Sequence, residues 1–340
     1  MKVLIIKPSS LGDIIHSLPL LKVIRDSSRD IRIDWVISKN LKEILEGNPL
    51  INELIIFNKD SWKNLKNLPK TIKEAAGLIK RLRAEKYDAV IDLQGLLRSG
   101  LITYFASAPL KIGFKNAREG SRLFYNKKIP ANGAVHAVDR YLKVAEALGA
   151  KIERVEFPFY INEPAREKVR NLTGNPNEYI VIVPSARWET KRWPPENFGM
   201  LISKLSVPCF ITGSGPDRQI VQQVLVHSGG RGINLCGKTD LKELIALIAG
   251  AKAVVSNDSG PMHIGAALGV PVVALFGPTD PGKTGPYGWA EIRTGHKKKN
   301  LKVIKTSVPC SPCFKRKCKD PLCMSGIRVE TVLEELKEYL

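Results

Sequence analysis

Short, wholly apolar runs, each stopped by Gly, Ser, Asp or Pro and followed by helical spacing, recur along this chain and limit its possible folds more than any other feature. The clearest example spans 254–287. An apolar run stops at Ser256-Asn257-Asp258, and residues 262–268 have the spacing of a short buried helix. A second apolar run, 270–276, starts directly after Gly269 and ends in Gly-Pro-Thr-Asp-Pro. Strand, turn, helix, strand is the implied order. Two loops therefore open on one edge of a parallel sheet, beyond the carboxyl ends of the strands, where open α/β folds bind ligands.

The same grammar extends over the whole chain. Runs 3–6, 31–37, 53–57 and 89–93 read as strands, with helices over 14–25, 41–46 and 71–86; Pro19 is expected to kink or restart the first helix. A helix over 138–148 ends at Gly149, and Asn162-Glu163-Pro164 reads as an inter-domain linker. A second series then begins, with strands at 179–183, 209–212, 253–255 and 270–276 and helices from 197 and over 217–227, 240–249 and 260–268. With 340 residues there is enough chain for two cores. The expected fold is α/β, with two Rossmann-like doubly wound domains facing a cleft: 1–162, 163–325, and a terminal helix within 326–340 that could pack back on the first domain.

One motif in the opening stretch misleads. Gly277 to Thr284 satisfies G-x-x-x-x-G-K-[ST] after an apolar run. A phosphate-cradling loop of that kind needs a helix starting at its lysine, and Gly285, Pro286 and Gly288 follow instead. Two prolines inside the loop also remove N–H donors, so the match is set aside.

Charge points to an anionic partner. Fifty-three Lys and Arg stand against 33 Asp and Glu, giving +20. Residues 108–135 carry Lys111, Lys115, Arg118, Arg122, Lys127 and Lys128 against one acid, Glu119. No apolar stretch reaches the length of a bilayer span, and the N-terminal run breaks too early for a signal peptide, so a cytoplasmic location is expected. Cys209 and Cys236 read as buried thiols. Cys310, Cys313, Cys318 and Cys323 open with C-x2-C but do not repeat it, which leaves a structural metal site, a disulfide or redox pair, and free thiols all open.

Three places can carry polar chemistry. Ser9-Ser10-Leu11-Gly12-Asp13 follows the first strand, and Asp13 reads either as a helix N-cap or as a general base beside a glycine that admits a ligand. Residues 184–194 follow the first strand of the second domain; their cations suit a diphosphate, or else form a solvated loop with Trp193 as a plug. Asp258 to His263 places helix N-terminal N–H groups at an anion site, although a lone buried histidine ordinarily has only a packing role.

Taken together, KPSSLGDIIHSLPLL (7–21), TKRWPPENF (190–198), GSGPD (213–217), GKTDLKEL (237–244) and SNDSGPMHIGAALGVPVVALFGPTDP (256–281) resemble the bacterial heptosyltransferases, the inverting glycosyltransferases of family 9 that build the lipopolysaccharide inner core. The resemblance runs over nearly the full length. It implies a GT-B fold with no cofactor and no catalytic metal. It also implies Asp13 as the base acting on an acceptor hydroxyl, with Ser9, Ser10 and Gly12 beside it. On the donor side it implies Lys191 on the diphosphate, Ser259, Gly260 and His263 supported by Asp258 as a second anchor, Thr239 and Leu241 near the adenine, and Asp217 on the ribose. The implied donor is ADP-heptose. The implied acceptor is Kdo-lipid A, or heptosyl-Kdo-lipid A for an enzyme of the second type, with the first type favoured. Lys111, Lys115, Arg118 and Arg122, with Lys127 and Lys128, would meet acceptor phosphates or the anionic inner leaflet, placing the protein peripherally on the cytoplasmic face of the inner membrane. The reading from another class, a basic protein that binds nucleic acid, explains the charge but finds no recognition-helix or zinc-finger spacing; no nucleic-acid partner is expected.

Overall fold

A computed structural model of the chain describes residues 1–27, 30–58, 68–131, 136–174, 178–290 and 298–340. Among these, the chain forms two compact units, Met1–Tyr160 and Ile161–Leu340. The first runs β1 (Lys2–Ile6), α1 (Leu11–Ser27), β2 (Arg32–Ser38), β3 (Glu53–Phe57), α2 (Leu68–Ala84), β4 (Ala89–Asp92), α3 (Leu97–Phe105), β5 (Leu110–Phe114), β6 (Lys127–Ile129) and α4 (Ala137–Ala147). Its strands are all parallel, in the order β3-β2-β1-β4-β5-β6.

The second unit runs α5 (Glu163–Thr173), β7 (Ile180–Val183), α6 (Pro195–Ser203), β8 (Cys209–Ile211), α7 (Arg218–His227), β9 (Ile233–Asn234) and α8 (Leu241–Ala249). It continues with β10 (Ala253–Asn257), α9 (Gly260–Leu268), β11 (Val272–Phe276), α10 (Pro281–Thr284), β12 (Leu301–Lys305), α11 (Leu322–Ser325) and α12 (Val329–Lys337). Its parallel order is β12-β11-β10-β7-β8-β9. Counted within each unit, both sheets read 3-2-1-4-5-6. The strand order therefore reverses between β1 and β4 in the first unit and between β7 and β10 in the second, and at such reversals the diverging loops leave a crevice.

The central strands are continuous apolar runs because helices cover both faces of a parallel sheet. All of β7 (IVIV) and β11 (VVALF) is buried. α1 runs unbroken through Pro19, which is buried with its neighbours, so packing outweighs the backbone bond the proline lacks.

Several segments depart from the sequence reading. The expected helix over 41–46 is a 3-10 turn, Lys39–Ile44. The linker at Asn162 is instead the start of α5: the Asn162 side chain accepts the Ala165 N–H at 3.1 Å, a proline occupies the first turn, and Gly174 closes the helix at φ 70°. The basic stretch after 108 holds β5 and β6. Lys111, Lys127 and Lys128 interleave there with buried Ile112, Phe114 and Ile129, and cations are what an outer strand tolerates. β12, at an edge of the second sheet, likewise carries Lys302 and Lys305.

The terminal helix packs into the core of the second unit. Val329, Val332 and Leu336 are buried with Trp193, Phe198, Leu201 and Leu275, and the Trp193 indole N–H donates to the Ile327 carbonyl at 2.9 Å. Burying an apolar face of this kind outweighs any alternative that leaves it in water. Leu336→Ala should accordingly cost about 2–5 kcal/mol, read from denaturant midpoints. An unchanged midpoint would show that α12 is not part of this core.

Candidate active site

Each sheet reversal carries one of the anticipated sites. At the first, the chain leaves β1 through Lys7 and enters α1 at Ser10. Asp13 is the third residue of α1 and not its N-cap: Ser10 occupies the cap, and its N–H and hydroxyl both donate to Asp13 Oδ2, at 3.1 and 2.7 Å. One carboxylate oxygen is thus tied to Ser10, which leaves the other for different contacts. Oδ1 accepts from the Tyr141 hydroxyl at 3.4 Å and lies 3.9 Å from Lys7 Nζ. Asp13 keeps 39% of its side-chain exposure, whereas Lys7 keeps 3%.

Lys7 holds its charge under unusual conditions. Burial alone pulls its pKa down, but Tyr141, Asp13 and Asp92 reverse that, and the net shift is upward. Its ammonium lies over the Tyr141 ring at 5.4 Å and reaches the Leu93 carbonyl at 3.5 Å. Across the reversal, Ser9 N–H donates to Gln94 Oε1 at 3.4 Å. The β4 end is fixed by Asp92, which accepts the Gln94 and Gly95 N–H groups at 2.9 and 3.0 Å and the Tyr125 hydroxyl at 2.6 Å. Burial pushes the Asp92 carboxyl up despite these bonds. Gly113 makes room for Tyr125, since a Cβ there would sit 2.2 Å from the ring.

At the second reversal, Asn257 at the end of β10 staples the loop that follows β7. Its side chain donates to the Pro184 carbonyl at 2.8 Å and accepts the Trp193 N–H at 3.0 Å. Between those anchors, Lys191 Nζ meets Asp258 Oδ2 at 2.6 Å and lies 4.7 Å over the Trp188 ring, with the Arg316 guanidinium 4.9 Å from the same ring. Thr279, from the loop after β11, donates to the same Asp258 oxygen at 2.5 Å. Asp258 is 5% exposed and Lys191 16%. α9 begins immediately beyond, with Ser259 as its N-cap, the Ser259 hydroxyl 3.3 Å from that of Ser256, and His263 buried one turn in. The N–H groups of that first turn have no intrahelical acceptor and form a ready anion cradle, less the one that Pro261 lacks.

The remaining anticipated residues divide. Ser9, Ser10 and Gly12 stand with Asp13; Lys115 and Arg118 follow the carboxyl end of β5, and Arg118 N–H donates to the Gly95 carbonyl at 2.9 Å, on the same edge. Lys111 belongs elsewhere. It lies near the amino end of β5, held on the Tyr104 carbonyl at 2.8 Å, and Arg122 sits on the 3-10 turn Ser121–Phe124. Thr239 and Leu241 flank Asp240, the N-cap of α8. Asp217 spends Oδ2 on the Ser214 N–H and hydroxyl, at 2.8 and 2.6 Å, a local capping role that competes with ribose binding. Trp193 is fully buried, as a plug should be. α10 starts at Pro281 and stops at Gly285, so no helix leads from Lys283. Lys7, Tyr141 and Arg316 were missed; only Lys7, a lone cation ending an apolar run, carried a sequence signal.

The four C-terminal cysteines are free thiols, Cys310 and Cys318 exposed and Cys323 buried. Among the described residues no group of three or more His, Cys, Asp or Glu side chains is placed to hold a metal, while Cys313, Cys310 and Cys318 lie near enough to Cys323 to add to the burial that pushes its thiol up. Their loop instead braces the second reversal: Thr190 donates to the Lys315 carbonyl at 2.8 Å, Phe314 N–H to Pro278 at 2.8 Å, and Ser311 to Gly277 at 2.7 Å. Cys209 and Cys236 are buried, and burial pushes the Cys209 thiol up to about 12.

Comparison with known proteins points one way. The family model described as glycosyltransferase family 9 (heptosyltransferase) matches residues 75–323. The whole chain is 30% identical to lipopolysaccharide heptosyltransferase 1 of Pseudomonas aeruginosa, over 98% of that protein. A share of 88% is 31% identical to the Escherichia coli K12 protein of the same name, over 95% of it. Among solved structures, the family 9 glycosyl transferase of Veillonella parvula matches at TM-score 0.81 and 27% identity, over 99% of this chain and 96% of that one. E. coli heptosyltransferase WaaC with ADP matches at 0.79 and 27%, over the whole of both chains.

Two outcomes follow from the geometry. Lys191→Met strands a buried carboxylate and should destabilise the protein by about 3–5 kcal/mol, while adding Asp258→Asn restores part of the loss; equal denaturation midpoints for both variants would show the pair is not coupled. A thiol reagent at pH 8 should label Cys310 and Cys318 first and Cys209 only on unfolding, which mass spectrometry of timed samples can check.

Proposed function

Since this chain belongs to glycosyltransferase family 9, the heptosyltransferases, we propose that it moves heptose from ADP-L-glycero-D-manno-heptose to the Kdo region of a lipid A precursor, with inversion at the anomeric carbon. The observation that carries this reading is the opposite chemistry at the two sheet reversals: a reachable carboxylate backed by a buried cation at one, and a reachable cation backed by a buried carboxylate at the other.

In the proposed reaction Asp13 takes the proton from an acceptor hydroxyl as that oxygen attacks the anomeric carbon and the bond to the β-phosphate oxygen breaks. Lys7 and Tyr141 hold the carboxylate in place. Lys191 and the first-turn N–H groups of α9 meet the charge that builds on the departing ADP. Ser10, Lys115 and Arg118, on the edge of Asp13, are assigned to the anionic acceptor, and Thr239 and Leu241 to the adenine. The proposed reaction uses no cofactor, ADP-heptose being the donor substrate.

The relatives support the first heptosyltransferase over the second: two type 1 proteins match at 30% and 31%, and a Salmonella typhimurium type 2 protein at 27% over 89% of this chain. A non-enzymatic nucleic-acid-binding protein does not fit a chain of this family. Among the described residues no helix is long and apolar enough to cross a membrane. A peripheral position on the cytoplasmic face of the inner membrane would suit the lipid-borne acceptor and the +20 charge.

Asp13→Asn should lower kcat by about 10²–10⁴ and leave ADP affinity unchanged; near-normal turnover would remove Asp13 as the base. Side-by-side transfer assays on Kdo-lipid A and heptosyl-Kdo-lipid A should favour the first, and preference for the second would reassign the protein to type 2.

A further inference from the structure

α3 turns an apolar stripe toward solvent. Leu97, Leu101 and Tyr104, spaced to share one side of the helix, are 44%, 39% and 56% exposed, and Leu123 on the adjoining 3-10 turn is 77% exposed. Four of the fourteen large apolar side chains exposed among the described residues thus fall in one place, where scattered single exposures would be ordinary.

The exposure is built in. A Cβ on Gly100 would sit 2.6 Å from the Phe124 ring and 2.9 Å from Ser121, so helix and turn press together closely. The Tyr104 and Phe124 rings are 5.6 Å apart. Leu97 N–H donates to Glu119 at 3.1 Å, and Lys111 Nζ caps the far end of α3 at the Tyr104 carbonyl. Exposed Arg98, Arg118 and Arg122, with Lys111, surround the stripe against the single acid Glu119.

That combination selects a partner. Leucines offer little to a stacked base, which wants aromatic planes. A second copy would bring the same cations against these. An anionic bilayer meets both features at once, its phosphates facing the cations and its headgroup boundary receiving the leucines and the amphipathic tyrosine. We propose that the α3 face is a membrane-docking surface that seats the protein on anionic lipid by inserting Leu97, Leu101, Tyr104 and Leu123. α3 starts two residues after Gly95, on the edge that carries Asp13, so a bilayer seated there runs alongside that edge. This purpose rests on the reading of the acceptor as lipid-borne; the surface itself does not.

The test is sedimentation of the full chain with phosphatidylcholine vesicles, with and without phosphatidylglycerol, which needs neither donor nor acceptor. Wild type should bind the anionic vesicles and be partly released by salt. Leu101→Glu with Leu123→Glu should weaken binding at least about tenfold, as should Leu101→Ser with Leu123→Ser, while both keep full transfer to a delipidated acceptor. Arg98→Gln with Arg122→Gln should weaken binding and flatten its salt dependence. The proposal is overturned if wild type ignores anionic vesicles, if the leucine variants bind as wild type does, or if the leucines govern only self-association in solution. Intact sugar transfer with no vesicle binding would sink this surface alone, whereas vesicle binding without heptose transfer would sink only the proposed reaction.

Discussion

The second unit is organised around the need to neutralise one buried carboxylate. Asp258 sits at the carboxyl end of β10 with 5% exposure, a position that costs several kcal/mol per charge unless a partner is supplied. Lys191 and Thr279 supply it on one oxygen, from the loops after β7 and β11. Asn257, one residue earlier, binds the backbone at both ends of the loop that carries Lys191. Two adjacent polar side chains at the end of one strand therefore gather two loops at the reversal of strand order. The cation that results is fixed in position, partly exposed, and next to the start of a helix whose first N–H groups face outward.

The first unit solves the mirror-image problem. There the buried ion is Lys7, and the partly exposed ion is the carboxylate of Asp13. The two bonds from Ser10 fix one carboxylate oxygen; Tyr141 and Lys7 address the other. Two copies of one sheet topology, used with opposite signs of charge, yield a partly exposed carboxylate in one unit and a partly exposed cation in the other. That division is what the proposed transfer from a nucleoside diphosphate to a hydroxyl requires.

Much of the fold was legible because Gly, Pro, Asn and Asp punctuate it: both doubly wound units were readable from apolar runs and their stops, and the helix Gly260–Leu268 was read to the residue. The segments that escaped were those where cations alternate with apolar residues, so that β5 and β6 read only as a basic stretch, and α3, whose outward face is apolar and breaks the amphipathic pattern. At the sites, the motifs located Asp13, Lys191 and Asp258. They did not disclose that Asp13 is the third residue of its helix, because the serine three positions earlier had already taken the cap. The contact from Tyr141, 128 residues away, and the bracing of the Lys191 loop by the cysteine-bearing segment are products of tertiary packing alone. The cysteine spacing left a metal site, a disulfide or redox pair, and free thiols all open, because spacing carries no information on where the thiols point.

The central claim is that the β7/β10 reversal holds the diphosphate and that Lys191 is its cation. Calorimetric titration of wild type and Lys191→Met with ADP and with adenosine tests it directly. The account predicts that the variant loses at least about tenfold in ADP affinity and keeps its adenosine affinity. ADP binding that is indifferent to Lys191 would contradict it.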